Sequence, residues 1–485
     1  MKTNSLLKCI ILIILFASIN NLTFTQIPGL KKLEKEVKDA KKVENQVEDK
    51  IKKDNEKKKT EESSSTTQSQ TTTTTSSQII YVSASKGNNK NDGSINSPIK
   101  EIDKAVQLAE PGAEIRIAQG IYRGTFNIGF IESSKPIKLF GSYDEDFTKQ
   151  DIVSHPTVFQ PDNEVGGKNR KALLRFTKDV GGTIIDGIVW DMGERNAYSG
   201  KEGFVKGIEL GRLLMPTEYP PTGNSTTDEP AIQFVSATSG GDVTIQNCVF
   251  VNSASFAIQA GHRSGKFTVK NNIFVANRMA AIEIFGTCSG SNQNKDMTLC
   301  GEVEIAYNTI LFTWSRLKDL KDMGYGIRIM TKCSYNIHHN IIGGSVLAAI
   351  DHSRFTKNEW IKVNDNIFFV NKQADFYYTP GSNTSLNLKV DQFGDLEIAS
   401  ASGNKDQIPK TLNVNKAYLE GFLSARYSEK VDYNPNSPSN QWREAMGMNK
   451  QGSIQSTVTM FMNKYPWKET LSLFGSVQGY GAQKP

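Results

Sequence analysis

The sequence predicts an all-β solenoid, in which the chain winds into stacked coils of short parallel strands. Five segments share one pattern, with apolar residues at alternate positions, then a small or amide residue, then an apolar pair. Alternation with period two is typical of β-strands, and recurrence of one pattern is typical of a repeat fold. The segments are VTIQNCVFVN (243–252), FTVKNNIFVAN (267–277), VEIAYNTILFT (303–313), YNIHHNIIGGS (335–345) and IKVNDNIFFVN (361–371).

The amide position of these segments sets the length of a coil. Its residues follow one another at spacings of 24, 36, 32 and 26, and they are Cys248, Asn272, Asn308, Asn340 and Asn366. The spacings predict a basic coil of about 24 residues with loops inserted in two of the turns. Amides stacked at one bend can hydrogen-bond the coils above and below, so we expect a structural asparagine ladder.

The start of the repeat region, residues 79–124, predicts a strand, a Gly/Asn/Asp loop, a helix over 97–110 and a further strand. The motifs NDGS and GIYRG in this stretch resemble the N-terminal cap of pectate-lyase-like, right-handed parallel β-helix proteins. The segments KPIKLFGSYDEDF (135–147) and GTIIDGIVWDMG (182–193) resemble the next coils of that family. The resemblance covers roughly residues 79–450 and implies a right-handed parallel β-helix with an N-terminal capping helix.

The segments outside the solenoid have different compositions. Residues 1–26 have the basic start and apolar run of a signal peptide, which implies a secreted, periplasmic or cell-surface protein with no transmembrane segment in the mature chain. Residues 27–61 place apolar residues three and four apart among lysines and glutamates, as in a coiled coil or a solvated stalk. Residues 62–78 predict a Ser/Thr/Gln linker, and residues 451–485 form a tail of unassigned structure.

The net charge of +6 does not indicate nucleic-acid binding. Residues 1–26 contribute +2, and residues 27–78 carry twelve lysines against ten acids. The remaining +2 is spread over more than 400 residues, which is far from the basic surface that phosphate backbones require.

A second set of aligned strands carries the candidate site. Each strand has an inward isoleucine or equivalent followed by an outward residue, and this outward column is Gln233, Gln259, Glu283, Arg328 and Asp351. Arg328 then lies between two acids on adjacent coils, each about 4.8 Å away at sheet spacing. Two interpretations remain open: a salt-bridge ladder with no further role, or the centre of a binding site.

Several residues near Arg328 in the sequence favour a site. Lys332 faces the same side if the strand continues, and Trp314 and Tyr325 offer rings for stacking. His352 and Arg354 follow the strand of Asp351. The loops 286–302 and 313–324 flank these coils, and loops on a rigid repeat wall are common binding elements.

Export permits disulfide bonds. Cys288 and Cys300 belong to one insertion and are the preferred pair, while Cys288 and Cys333 stand at equivalent positions on neighbouring coils and are the alternative. Cys248 is expected to be a buried thiol.

The family resemblance implies two classes of function: polysaccharide lyases or hydrolases, and surface or adhesive proteins without catalysis. For a lyase acting on acidic, uronate-containing polysaccharide, Arg328 would neutralise the carboxylate, and Lys332 or His352 would act as base. Tyr325, Trp314 and Arg354 would bind substrate, and Glu283 and Asp351 would hold Ca²⁺.

A hydrolase ranks below a lyase, because an arginine between two carboxyl groups is expected to depress both pKa values, whereas a general acid needs a raised one. The alternative is a non-catalytic surface protein held on an oligomeric stalk.

The stalk gives a first prediction. We expect the mature chain to self-associate through residues 27–60, because a single helix cannot bury their apolar stripe alone. Deletion up to residue 78 is expected to give a monomer with unchanged melting behaviour, and light scattering on both forms measures the difference. A monomeric full mature chain would exclude the coiled coil and leave the solvated stalk.

Overall fold

The computed structural model describes residues 78–123, 131–160, 172–192, 230–253, 255–286, 299–313, 323–352, 358–378, 384–412 and 467–485, with residues 414, 416 and 420. All of them lie in Ser76–Pro485, the second of two units into which the chain divides. The predicted signal peptide, the stalk and almost all of the linker therefore lie outside the described residues.

The described residues form 28 strands and few helices. The first half contains β1 (Ile79–Val82), β2 (Glu114–Ala118), β3 (Gly120–Arg123), β4 (Ile131–Ser133), β5 (Lys138–Tyr143), β6 (Thr157–Gln160), β7 (Leu174–Phe176), β8 (Thr183–Asp186), β9 (Ile188–Asp191), β10 (Ile232–Gly240), β11 (Val243–Gln246), β12 (Val249–Val251), β13 (Ile258–Ser264) and β14 (Lys266–Lys270). The second half contains β15 (Ile273–Val275), β16 (Ala280–Phe285), β17 (Glu302–Ala306), β18 (Thr309–Leu311), β19 (Tyr325–Ile329), β20 (Ser334–His338), β21 (Ile341–Gly343), β22 (Ala348–His352), β23 (Asn358–Asn364), β24 (Ile367–Phe369), β25 (Ala374–Tyr378), β26 (Leu386–Leu388), β27 (Ile398–Ser400) and β28 (Lys405–Asp406).

These strands build three long sheets. Sheet A has the order β1-β2-β5-β8-β11-β14-β17-β20-β23-β27, sheet B runs from β4 through β7, β10, β13, β16, β19, β22 and β25 to β26, and sheet C has the order β3-β6-β9-β12-β15-β18-β21-β24-β28. From β2 to β25 the chain visits A, C and B in turn, and strands within a sheet pair in parallel with the next coil. The antiparallel pair β25–β26 closes sheet B. This topology is that of a parallel β-helix.

The bend between sheets A and C contains the asparagine ladder that the spacing predicts. The Oδ1 of Asn308 accepts a hydrogen bond from the backbone N of Asn272 at 3.0 Å. The Nδ2 of Asn308 donates to Val269 O and to Asn340 Oδ1, both at 2.9 Å. The same pattern continues through Asn340 and Asn366, and Asn404 extends it by one coil. Because Asn272, Asn308, Asn340 and Asn366 are completely buried, their bonds satisfy groups that water cannot reach.

The interior is filled by side chains stacked from coil to coil. The rings of Trp190 and Phe250 are parallel to within 6°, and so are those of Phe250 and Phe274, with centroids 6.1 and 4.8 Å apart. The same column continues in aliphatic form with Ile310 and Ile342, which are fully buried. Each coil therefore buries its apolar residues against its neighbours as well as within itself.

The capping helix is shorter than predicted. It is α1 (Ile102–Leu108), and its buried face contains Ile102, Ala105 and Val106 as the periodicity indicates. It begins five residues later than predicted because Ile99 instead forms a parallel bridge with Val82. Among the described residues, the structure contains no helix with the length and hydropathy of a membrane span.

The end of the chain packs on the outer face of sheet C. We call residues 467–485 the C-terminal strap; it contains α2 (Trp467–Thr470) and the 3₁₀ helix Leu471–Leu473. Its Leu471, Phe474 and Ala482 join a buried apolar cluster with residues of the outer face of the sheet, Val249, Val251, Ile273, Val275, Leu311, Ile341 and Ile367. The strap therefore covers an apolar surface that the alternating pattern of these strands leaves on the outside.

The asparagine ladder can be tested by one truncation. Asn308→Ala removes the amide that joins three coils and leaves buried backbone groups without partners, so we expect a loss of about 3 kcal/mol in the free energy of unfolding. Urea denaturation measures this loss. The control is Asn336→Ala on the next coil, where the side chain is exposed and the expected change is within about 0.5 kcal/mol. Equal effects of the two changes would contradict a structural role for the ladder.

Candidate functional site

The register of sheet B brings the predicted column together. Gln233 is opposite Gln259, Gln259 is opposite Glu283, Glu283 is opposite Arg328, and Arg328 is opposite Asp351. Two more charged residues extend the column toward the N-terminal end, since Glu132 pairs with Arg175 and Arg175 with Gln233. We call this set the polar ladder; its members are Glu132, Arg175, Gln233, Gln259, Glu283, Arg328 and Asp351.

The hydrogen bonds of the polar ladder run in one direction toward Glu283. Arg175 Nε donates to Gln233 Oε1, Gln233 Nε2 donates to Gln259 Oε1, and Gln259 Nε2 donates to Glu283 Oε1, over distances of 3.1, 2.9 and 2.9 Å. From the other side, Arg328 Nη1 donates to Glu283 Oε2 at 2.8 Å. Glu283 therefore accepts charge-assisted and amide hydrogen bonds on both oxygens.

Glu283, Arg328 and Asp351 form a buried charge triad. Arg328 bridges the two acids, because its Nε also donates to Asp351 Oδ2 at 3.1 Å. The side chains of Glu283 and Asp351 are only 6% and 2% exposed, whereas that of Arg328 is 19% exposed. The two acids are therefore buried members of the polar ladder. Buried charges of this kind depend on each other for compensation.

Burial acts on the pKa values of Glu283 and Arg328. It raises the pKa of Glu283 above its ordinary value, and the charge of Arg328 and the Gln259 hydrogen bond oppose this shift. For Arg328 burial works against the charged form, but the two carboxylates more than offset it and raise the pKa. Arg328 lowers the pKa of Glu283 as predicted, but desolvation outweighs this attraction, so the net shift of Glu283 is upward and not downward as expected.

The two acids use only the Nε and Nη1 atoms of the Arg328 guanidinium group. Its Cζ lies 5.7 Å from the centroid of the Tyr325 ring, within cation–π distance. Nε and Nη1 are used by the two acids, and Nη2 donates no hydrogen bond to another described residue. The triad thus positions a partly exposed guanidinium group beside a half-buried tyrosine.

Lys332 does not continue the strand of Arg328. Strand β19 ends at Ile329, so the premise that put Lys332 on the same face is wrong. Lys332 lies in the turn before β20 and is 7% exposed, and its carbonyl accepts the amide of Cys300 at 2.7 Å.

His352 lies on the inner side of sheet B. It follows the outward Asp351 and is completely buried, with its ring 5.3 Å from Trp360 and 6.3 Å from Phe376. Desolvation lowers its pKa to about 3. The structure therefore does not bring His352 to the outer face where Arg328 lies, and the role of a base at that face does not fit its position.

Three further site residues, Trp314, Arg354 and Cys288, lie outside the described residues. Cys300 is disulfide-bonded, and Cys333 is a free buried thiol. The alternative pairing of Cys288 with Cys333 is therefore wrong, while the pairing of Cys288 with Cys300 stays a prediction. Cys248 is a free buried thiol, as expected.

The two triad acids are poor calcium ligands in this arrangement. Both oxygens of Glu283 accept hydrogen bonds, and Asp351 uses Oδ2 for Arg328. A calcium ion would have to sit beside the guanidinium charge and replace these bonds. Within the described residues, His, Cys, Asp and Glu side chains form no group of three that could hold a metal ion.

The sequence contained a signal for the missed end of the ladder. Strand β7 (Leu174–Phe176) has the same pattern of an inward apolar residue, an outward polar residue and an inward apolar residue as the strands of the column, and β4 has it with the small residue Ser133 in the third position. Both precede the first aligned amide segment. Extending the alignment toward the N-terminal end would have added Arg175 and Glu132.

Comparisons with known proteins give little beyond the fold. No protein-family model and no curated protein matches the sequence. Among solved structures, the chain is similar to the crystal structure of pectate lyase Pel9A, with 14% sequence identity and a TM-score of 0.31. The match covers 62% of this chain and 71% of that chain. With so low a TM-score, the fold rests on the strand topology and the function on the site.

Removal of Arg328 tests the interdependence of the triad. Arg328→Ala removes the guanidinium group that contacts both buried carboxylates, so we expect a loss of about 3 kcal/mol in unfolding free energy at pH 7. The loss should shrink as the pH falls toward 4.5, because a Glu283 whose pKa is raised in the folded state binds a proton more readily there than in the unfolded chain.

Urea denaturation at pH 7 and pH 5 measures both effects. Arg175→Ala is the control, since its partner Glu132 is 43% exposed and the pair contributes about 1 kcal/mol at most. A loss at Arg328 that equals the loss at Arg175 would show that the triad acids are not held by the arginine.

Proposed function

We propose that this chain is an exported β-helix protein that binds polysaccharide along the polar ladder, with Arg328 as the central contact. The observation that supports it is the oriented guanidinium group of Arg328. Two buried acids fix its Nε and Nη1 side, while Nη2 and the Tyr325 ring remain on the outer face. Fixed N–H donors beside an aromatic ring can bind sugar hydroxyl groups and the apolar face of a sugar ring at the same time.

The shape of the ladder suits a linear polymer. Its side chains repeat at the spacing of the strands, about 4.8 Å, along the outer face of one sheet. Arg175 and the two glutamines provide further polar groups on the line that leads to Arg328. A chain of sugars lying along the solenoid would meet polar groups at regular intervals, as is common for the extended binding surfaces of repeat proteins.

The local charge favours neutral polysaccharides. The triad carries two carboxylates against one guanidinium group and so has a net charge of −1 when both acids are ionised. Arg328 is therefore already neutralised by protein groups and attracts a uronate carboxylate weakly. We accordingly place neutral glycans ahead of the acidic ones that the sequence favoured.

The geometry supports binding better than catalysis. A lyase needs a base close to the arginine on the same face, and His352 is on the other face, while Lys332 is nearly buried in a turn. The upward direction of the Glu283 pKa shift, caused by burial, favours a glycoside hydrolase, because the general acid of such an enzyme needs a raised pKa. Hydrolysis is therefore the second candidate, ahead of the lyase reaction. A surface protein that binds glycans without cleaving them is compatible with the same site.

A panel of neutral and uronate-containing polysaccharides tests this function. We expect the full-length chain to bind a neutral polymer, and Arg328→Lys to weaken binding about tenfold or more, because lysine lacks the fixed fork that holds both acids and presents Nη2. Calorimetric titration measures the affinity, reducing-end release measures hydrolysis, and absorbance of unsaturated ends measures lyase activity. A parallel arm with a chelator examines any calcium requirement.

Arg116→Lys is the matched control, since this arginine also pairs with an acid, Glu114, and lies near tyrosine rings, but it is on sheet A, outside the polar ladder, and should leave the affinity unchanged. If no polymer binds, or if both variants bind as the parent does, the polar ladder has a structural role only. Preferential binding of uronate polymers would reverse the ranking of glycans, and production of unsaturated ends would establish the lyase.

A further inference from the structure

The C-terminal strap is held to the solenoid by a small set of polar contacts at the bend between sheets A and C. Gly481 N donates to His339 O at 2.8 Å, and Ala482 N donates to Thr309 Oγ1 at 3.0 Å. Gln483 exchanges two hydrogen bonds with the Asn271 side chain, at 2.6 and 3.1 Å. The strap thus crosses several coils and contacts each of them at the same corner.

The ring of His339 lies between the solenoid and the strap. It stacks on Tyr307 with centroids 4.9 Å apart and planes 16° apart, and on its strap side it lies 5.8 Å from the Tyr480 ring. Tyr480 is held in turn by Lys405, whose Nζ is 2.7 Å from the hydroxyl oxygen. The orientation of the His339 ring therefore determines whether Tyr480 has a surface to pack on.

A second histidine sets that orientation. His338 Nδ1 and His339 Nδ1 are 2.9 Å apart, a hydrogen bond that needs exactly one proton between the two nitrogens. His338 Nε2 faces Glu304 Oε1 at 3.4 Å, so the consistent arrangement has Nε2 of His338 donating to Glu304 and Nδ1 of His339 donating to His338. In this state His338 is neutral.

A proton on Nδ1 of His338 disrupts this arrangement, because both facing nitrogens then carry hydrogen until His339 transfers its own proton from Nδ1 to Nε2. The surrounding groups compensate poorly for a positive charge on His338, because the carboxylate that faces it, that of Glu304, also pairs with Lys266. The other charged and titratable groups near the pair are Lys270 over Tyr307, Lys405 on Tyr480, Asp365 on the next coil, and the tyrosines Tyr307 and Tyr480. Burial lowers the pKa of His338, Glu304 opposes the shift, and His339 and Lys270 add to it.

We propose that the His338–His339 pair is a proton-operated latch, which holds the C-terminal strap on sheet C at neutral pH and releases it on acidification. Release turns the His339 ring away from Tyr480 and uncovers the apolar outer face of sheet C. The sign follows from linkage. A histidine that prefers the neutral form when the strap is docked stabilises the docked state fully above the ordinary pKa of 6.5, and this stabilisation is lost as the pH falls below it.

Hydrogen–deuterium exchange of residues 467–485 in the full-length chain, corrected for intrinsic rates, tests the latch between pH 7.5 and 5.0. Below pH 6.5 we expect the protection of the strap to fall by up to about tenfold per pH unit, the limit for uptake of one proton, while the strands of sheet A stay protected. In His338→Asn the amide oxygen can still accept from His339 but cannot titrate, so the strap should stay protected at pH 5.0.

Two further variants calibrate the measurement. His155→Asn removes a histidine distant in sequence from the strap contacts and should leave the pH profile of the parent unchanged. Gly481→Ala should open the strap at every pH, because its φ is +65° and a Cβ there would lie 2.5 Å from Thr309 Oγ1 and 2.7 Å from Ile341 Cδ1.

Strap protection that does not change with pH in the parent chain overturns the latch, and so does acid release that persists in His338→Asn. If His338→Asn opens the strap already at neutral pH, an NMR titration of the parent histidine side chains decides between the outcomes. Protonation of His338 with the same midpoint as strap release supports the latch, and release without protonation of His338 overturns it.

Discussion

The hydrogen bonds between side-chain amides of successive coils are the constraint on which the rest of this structure depends. Each amide oxygen accepts from the preceding coil, and each amide nitrogen donates to a carbonyl of that coil and to the following asparagine, as Asn308 shows with Asn272, Val269 and Asn340. An asparagine has one orientation that satisfies all of these partners. The bend between sheets A and C is therefore in the same rotational position in every coil, whatever the length of the loops elsewhere.

Fixed register at one bend aligns the columns of all three sheets. On sheet B it places Arg328 between Glu283 and Asp351, although the three residues are separated by 45 and 23 positions in the chain. A slip of one residue would turn these charges into the apolar interior and the isoleucines outward. The asparagine ladder thus allows carboxylates to be buried on an outer face, because the register that it fixes places the compensating guanidinium group opposite them.

Much of this arrangement could be predicted from sequence, because both periods, two along a strand and about 24 along the chain, are visible in the residues. The column of Glu283, Arg328 and Asp351 and the ladder at Asn272 follow from them directly. The position of Lys332 could not be predicted from these periods, since nothing in the pattern shows that the strand ends at Ile329. The inward position of His352 could have been predicted, because alternation after the outward Asp351 already places His352 inside.

Other features depend on energies that a pattern does not contain. The side chains of the triad acids are less than one-tenth exposed, and their burial decides the direction of the Glu283 pKa. The C-terminal strap has no repeat, so its place on sheet C could not be inferred from alignment. The one available signal was on the solenoid, where Val249, Val251 and Ile273 point outward in strands whose inward positions are also apolar. A surface of that kind on a repeat protein requires a cover.

The residues at the bend between sheets A and C show that side-chain contacts can decide which residue occupies a strained backbone position. One residue in each coil has a positive φ just before the ladder, and it is Asn247, Asn271, Tyr307, His339 or Asp365, with φ between 52° and 59°. Glycine would adopt this conformation without strain, and a bulky residue costs about 1 kcal/mol or more. Tyr307 and His339 adopt this strained conformation, and their ring contacts offset the strain. The two rings stack on each other, and the His339 ring packs against Tyr480 of the strap. A glycine at position 339 would relax the backbone and still supply the carbonyl for Gly481, but it would remove the ring pair with His338. The side chain at this corner is therefore explained by the contacts it makes with its neighbours, since the turn itself would favour a smaller residue.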